Sequence, residues 1–162
     1  MLAGAVGWCG LAGCDPGWER PLPVEVPARS DEGALEIWTG VPCVGVTKIE
    51  YLFRAEGVEP ITVGYRARRP QIVERWRFGS PPAGFRAIPL PPDVEWRSFE
   101  DLLIRMDGPG GQRSVTLDLT PIADEEAGSD YLVGREWLDQ DAVLAGDGVE
   151  YALPCSPDLA AG

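Results

Sequence analysis

Lys48-Ile49-Glu50-Tyr51-Leu52-Phe53-Arg54 and Ile61-Thr62-Val63-Gly64-Tyr65-Arg66-Ala67-Arg68 decide the fold. Ile49, Tyr51 and Phe53 alternate with Lys48, Glu50 and Arg54. Ile61, Val63, Tyr65 and Ala67 alternate with Thr62, Gly64, Arg66 and Arg68. Side chains on a strand point to opposite faces in turn, so a period of two with one apolar face marks half-buried antiparallel strands. The same period recurs outward from this centre. Ile72, Trp76 and Phe78 are expected on one face, Arg75 and Arg77 on the other. Val115, Leu117 and Leu119 alternate with Ser114, Thr116 and Asp118, and Val149, Tyr151 and Leu153 with Glu150 and Ala152.

Breakers separate these runs: Gly79-Ser80-Pro81-Pro82, Pro91-Pro92-Asp93, Asp107-Gly108-Pro109-Gly110-Gly111 and Gly146-Asp147-Gly148. The third is expected to close a hairpin between residues 102–106 and 112–119. Residues 98–106 read either as a strand or as a helix, with Ser98 and Asp101 in a capping box. Residues 134–144 are expected to hold a short helix. Together the runs predict a mainly β fold: an antiparallel β-sandwich, immunoglobulin-like in architecture, or a small barrel, with one or two short helices.

Charge is distributed unevenly. The chain of 162 residues carries a net −12, as −4 over residues 1–53, +2 over 54–105 and −10 over 106–162. Such a protein is repelled by phosphate backbones and anionic headgroups, which argues against nucleic acid as a partner and against peripheral electrostatic binding to a membrane. There is no His, so His-based triads, His–carboxylate pairs and His metal sites are excluded. Arg outnumbers Lys thirteen to one, and Asn is absent. GC-rich coding accounts for that bias before any function does.

Residues 2–14 form an uncharged apolar run, long enough for a signal-peptide core and too short to span a bilayer. It ends in Leu11-Ala12-Gly13-Cys14: an aliphatic residue, two small residues and a Cys. This resembles the lipobox of bacterial lipoproteins, although no Lys or Arg precedes it. The resemblance implies cleavage before Cys14, lipidation of its thiol, export to the cell envelope and a membrane held through the lipid anchor. Residues 1–13 are then a signal peptide. Residues 14–33, with Pro16, Pro21, Pro23 and Pro27, read as a tether in extended polyproline conformation, or as an arm packed on the domain through Trp18, Val24 and Val26. Residues 34–162 are expected to form a single β domain. In an exported chain, Cys43 and Cys155 remain as an even pair expected to form a disulfide, two buried free thiols being the alternative.

No catalytic motif emerges. No Ser lies in a nucleophile elbow, Gly108-Pro109-Gly110-Gly111 lacks the Lys-Ser/Thr of a phosphate loop, and no Cys pair has metal or redox spacing. The acidic stretches Asp124-Glu125-Glu126 with Asp130, and Asp139, Asp141 and Asp147, do not fit a calcium loop. No cofactor and no metal is expected. One local positive segment stands out: Arg66, Arg68, Arg69, Arg75, Arg77 and Arg86. If its strands are adjacent, Arg66, Arg68, Arg75 and Arg77 form a face for anions or a partner. The default reading is a solvated face that pairs internally with the acidic C-terminal third, and the binding face is the alternative to it. The functional expectation is a membrane-tethered binding or interaction domain, not an enzyme, meeting an envelope protein or glycan. A carboxylate-dependent envelope enzyme and a purely structural envelope protein are the competing readings.

Overall fold

The computed structural model describes residues 21–88, 94–125 and 128–157. The lipobox and Cys14 lie outside them. Among the described residues eight strands form one antiparallel sheet: β1 (Ala28–Asp31), β2 (Ala34–Arg54), β3 (Ile61–Arg77), β4 (Phe85–Ala87), β5 (Asp101–Gly108), β6 (Gly111–Asp118), β7 (Tyr131–Val133) and β8 (Glu136–Leu138). Two short helices, α1 (Thr120–Asp124) and α2 (Gln140–Gly146), and a 3-10 turn at Trp96–Ser98 complete it. The expected mainly β, antiparallel fold is what forms, and the sheet does not close into a barrel.

The long hairpin β2–β3 organises the rest. The first part of β2 pairs with β1 on one side and with Arg75–Arg77 of β3 on the other. Its second part, Lys48–Arg54, pairs with β5 and with Ile61–Arg66. Between them lies a bend, where the register shifts at Trp38/Cys43, Val44/Val46 and Val46/Lys48. Extra residues on one strand of a pair twist and bend it. Gly40 and Gly45 supply the left-handed backbone there, at φ +74° and +84°. The Thr39 hydroxyl lies 2.8 and 3.0 Å from the carbonyls of Val41 and Glu74 and sews the bend together.

The bend folds the sheet over on itself. A straight strand separates Ile37 from Tyr51 by roughly 46 Å at about 3.3 Å per residue. Yet Trp76, the cross-strand partner of Ile37, donates its indole N–H to the Tyr51 hydroxyl at 2.5 Å. Phe78 packs edge-on against Tyr51 and Phe53, with ring centroids 5.4 and 4.9 Å apart, and the Tyr65 hydroxyl accepts the Gly79 N–H at 2.8 Å. The two halves of one hairpin thus face each other across an aromatic core. A sandwich-like arrangement results from one sheet doubled over, not from two stacked sheets.

Several expectations change. The stretch expected to be a tether belongs to the domain from at least Pro23: Glu25 N–H bonds Ala152, Ala152 N–H bonds Pro23, Val26 is buried, and Ala28–Asp31 is a strand of the sheet. The domain therefore begins before residue 34. Pro21, Pro23 and Pro27 do not prevent this, because the N–H groups that pair this segment with the domain belong to Glu25 and to the strand Ala28–Asp31, not to a proline. Residues 98–106 resolve as strand β5 after the 3-10 turn, and β5–β6 is the expected hairpin. Residues 134–144 split into β8 and the start of α2. Val149–Leu153 is not a strand: Val149 is exposed, and Tyr151 is anchored on the α2 carbonyl of Val143 at 2.8 Å. Ile72 is exposed while Val73 and Trp76 are buried, because the bend changes which parity faces inward.

Cys43, fully buried, and Cys155 form a disulfide, with Cα atoms 5.2 Å apart. It ties the bend of β2 to the C-terminal segment across 112 residues. The Arg113 guanidinium lies 3.3 Å from Cys155 Sγ.

Candidate functional site

The Arg face expected from the sequence is divided by the bend. Arg75 and Arg77 lie on one half, Arg66 and Arg68 on the other. They do not form a single surface.

On the first half the guanidiniums are already engaged. Arg77 pairs with Asp31, with Glu32 at 3.3 Å and with Glu36 at 3.9 Å. Arg29 meets the buried Glu36 carboxylate through Nε and Nη2 at 3.1 and 3.0 Å, and the Tyr131 hydroxyl donates to the same oxygen at 2.6 Å. Arg29 also covers the Tyr131 ring at 4.7 Å. Arg75 covers Trp38 and Tyr131 at 5.0 and 5.5 Å. Burial, followed by the Glu36 carboxylate, pushes the Tyr131 phenol up to about 12. A buried carboxylate must be paired to persist, and this one is. The cluster fastens β1, β2, β3 and β7 together.

The second half is different. Its outward face carries a row of directly opposed residues, Gln112–Asp107–Lys48–Arg66–Arg86, on β6, β5, β2, β3 and β4. The three at the β4 end are all cationic. Like charges directly opposite each other destabilise a sheet. Lys48 is neutralised by Glu50 at 2.6 Å. Glu50 is then completed by Arg105 at 3.2 Å, and these two cations, the Lys48 hydrogen bond foremost, hold its carboxyl below the usual range. Among the described residues no carboxylate pairs with Arg66, Arg68 or Arg86. The three Arg line one shallow depression with Ala67, Ala87 and Ile88. None of the ion pairs uses an acid beyond Asp101, so the expected pairing with the acidic C-terminal third does not form among the described residues.

Gly64 shapes this depression. In the next row it stands opposite Glu50, and a methyl group on it would meet the Ile49 carbonyl at 2.8 Å and Ile88 Cδ1 at 3.3 Å. Ile88 therefore lies across the glycine on the same face as the Arg side chains. Alternation places Arg66 and Arg68 together, and the sequence does this unaided. That Arg86 joins them and Arg75 leaves depends on the β3–β4 register and on the bend.

The acidic stretches do other work. Asp139 caps α2 by accepting the Ala142 N–H at 2.8 Å, and Asp147 accepts the Leu153 N–H at 2.9 Å. Glu25, Glu136 and Glu150 border an open depression beside Tyr151, and burial raises the Glu25 carboxyl. Among the described residues no three His, Cys, Asp or Glu side chains are placed to hold a metal ion, and no helix is long and apolar enough to cross a membrane. No protein-family model, curated protein or solved structure matches the chain.

Proposed function

We propose that the chain is an envelope binding protein, lipidated at Cys14 and held at the membrane, whose β domain captures an anionic partner on Arg66, Arg68 and Arg86. One observation carries the binding face. In a chain of net charge −12, three neighbouring Arg stand at one edge of the sheet without a carboxylate partner among the described residues, two of them directly opposed. An arrangement that costs stability and is left uncompensated among the described residues is one that a ligand would complete. The lipobox tetrapeptide supports the anchor, and the Cys43–Cys155 disulfide suits an oxidising compartment.

Metabolic labelling with radioactive palmitate tests the anchor. Wild type should carry label and Cys14→Ser should not; equal label in both overturns it. Cross-linking in intact cells tests the face. The charge-reversed Arg66→Glu/Arg68→Glu/Arg86→Glu chain should lose adducts that wild type forms, and an unchanged adduct pattern rules the face out.

A further inference from the structure

We infer that the Arg66–Arg86 pair binds a phosphomonoester, with the organic group of the ligand lying along Ile88. The inference rests on the binding reading above and names its ligand.

The geometry of the pair selects the anion. Ile88 N–H bonds the Gly64 carbonyl, which fixes the phase of the β3–β4 ladder. Two residues along, Arg66 and Arg86 form a hydrogen-bonded antiparallel pair, with Cα atoms about 5.5 Å apart and side chains on the same face. A carboxylate has one charge and two oxygens, and a single guanidinium satisfies it bidentately. Neutralising two adjacent guanidiniums calls for two charges and more than two acceptor oxygens on one centre. A phosphomonoester offers close to two charges at neutral pH and three terminal oxygens. Arg68, about 6.6 Å along the strand from Arg66 on the same face, is placed to take the third. Lys48 stands in the same row but is occupied by Glu50.

The walls select the rest of the ligand. Ala67, Ala87 and Ile88 make the depression largely apolar, and Gly64 leaves the space that Ile88 crosses. A ligand with an apolar group beside its phosphate gains contact there that inorganic phosphate lacks. No bond is made or broken in this step; the phosphate displaces water.

Titration calorimetry on the purified chain tests this with phenyl phosphate, inorganic phosphate and benzoate at pH 7.5, and phenyl phosphate again at pH 5. Phenyl phosphate should bind at least tenfold tighter than either other anion. Affinity should fall about tenfold at pH 5, where the second phosphate proton is back on. Arg66→Gln and Arg86→Gln should each weaken binding at least tenfold, and Lys48→Gln should change it little. Because each Arg variant relieves a like-charge opposition, each should melt no lower than wild type, and phenyl phosphate should raise the Tm of wild type alone. Absence of phenyl phosphate binding, or binding indifferent to both Arg variants, overturns the ligand assignment. Arg66-dependent binding of benzoate at equal or higher affinity also overturns the phosphate but leaves the binding face standing. If no anion depends on Arg66 or Arg86, both readings fall.

Discussion

The indole N–H of Trp76 donates to the Tyr51 hydroxyl across the doubled sheet at 2.5 Å, with Tyr51 fully buried and Trp76 nearly so. These residues stand on opposite halves of one hairpin, so their bond reports directly on the fold-over. Tyr51→Phe keeps the ring and leaves a buried N–H without its acceptor. The cost of such an orphaned group is about 1–3 kcal/mol. Urea denaturation followed by tryptophan fluorescence should show that loss. Tyr51→Phe/Trp76→Phe should be less destabilised than the sum of the single changes, since the second substitution removes the orphan. Strict additivity would mean that the halves do not meet here.

The disulfide acts on the other end of the same bend. Closing a loop of 112 residues constrains the unfolded chain by about 4–5 kcal/mol in the chain-entropy account. Cys43→Ala/Cys155→Ala should lower the urea midpoint substantially. Reduction of wild type should match that variant closely, because both lose the same constraint. A reduced chain as stable as the oxidised one would show that the staple contributes nothing.

All four tyrosines should resist ionisation. Burial is the leading cause of a raised phenol at Tyr51, Tyr65, Tyr131 and Tyr151, with Tyr131 reaching about 12. A folded-state value above the unfolded value of about 10 means that the native chain holds these protons more tightly. The resulting stability is fully present below pH 10 and is lost as the pH rises through the folded-state values. Absorbance at 295 nm should therefore rise at higher pH in the native protein than in the urea-unfolded chain. The urea midpoint should fall between pH 10 and 12. A reversible native titration centred on pH 10 would disprove the burial of at least one phenol.

How far the sequence carries this fold depends on where each residue sits relative to the bend. Ile49, Tyr51 and Phe53 pair with strands on both sides in unbroken register, so alternation alone assigns their face. Ile72 misleads because register shifts opposite it reverse the parity. Tyr131–Val133 is buried at every position, so a strand of three residues leaves no period to read. Val149–Leu153 has the period but pairs only through isolated bridges, Val24–Ala152 and Asp147–Tyr151, so it forms no strand. The same division governs the site: Arg66 and Arg68 follow from spacing, whereas their separation from Arg75 and union with Arg86 are properties of tertiary structure. Glu36 gives no signal at all, since its ligands Arg29 and Tyr131 lie 7 and 95 residues away.

The bend itself can be tested at Gly40. Its φ of +74° disfavours any side chain, and an ideal Cβ there would lie 2.2 Å from Leu153 Cδ1. Leu153 cannot simply swing aside, because it is fully buried in a cluster with Trp38, Tyr131, Val133 and Val143. Gly40→Ala thus combines backbone strain of about 1–2 kcal/mol with an overpacking cost of about 1–3 kcal/mol. Gly57 separates the two contributions, since it has a similar φ of +71° with nothing within 4 Å. Gly57→Ala should cost the backbone strain alone, so Gly40→Ala should be the more destabilised in a urea titration. Adding Leu153→Ala to Gly40→Ala should recover the difference in part, by emptying the space the new methyl needs. Equal costs at the two glycines, with no coupling to Leu153, would mean that the C-terminal segment does not pack into the bend.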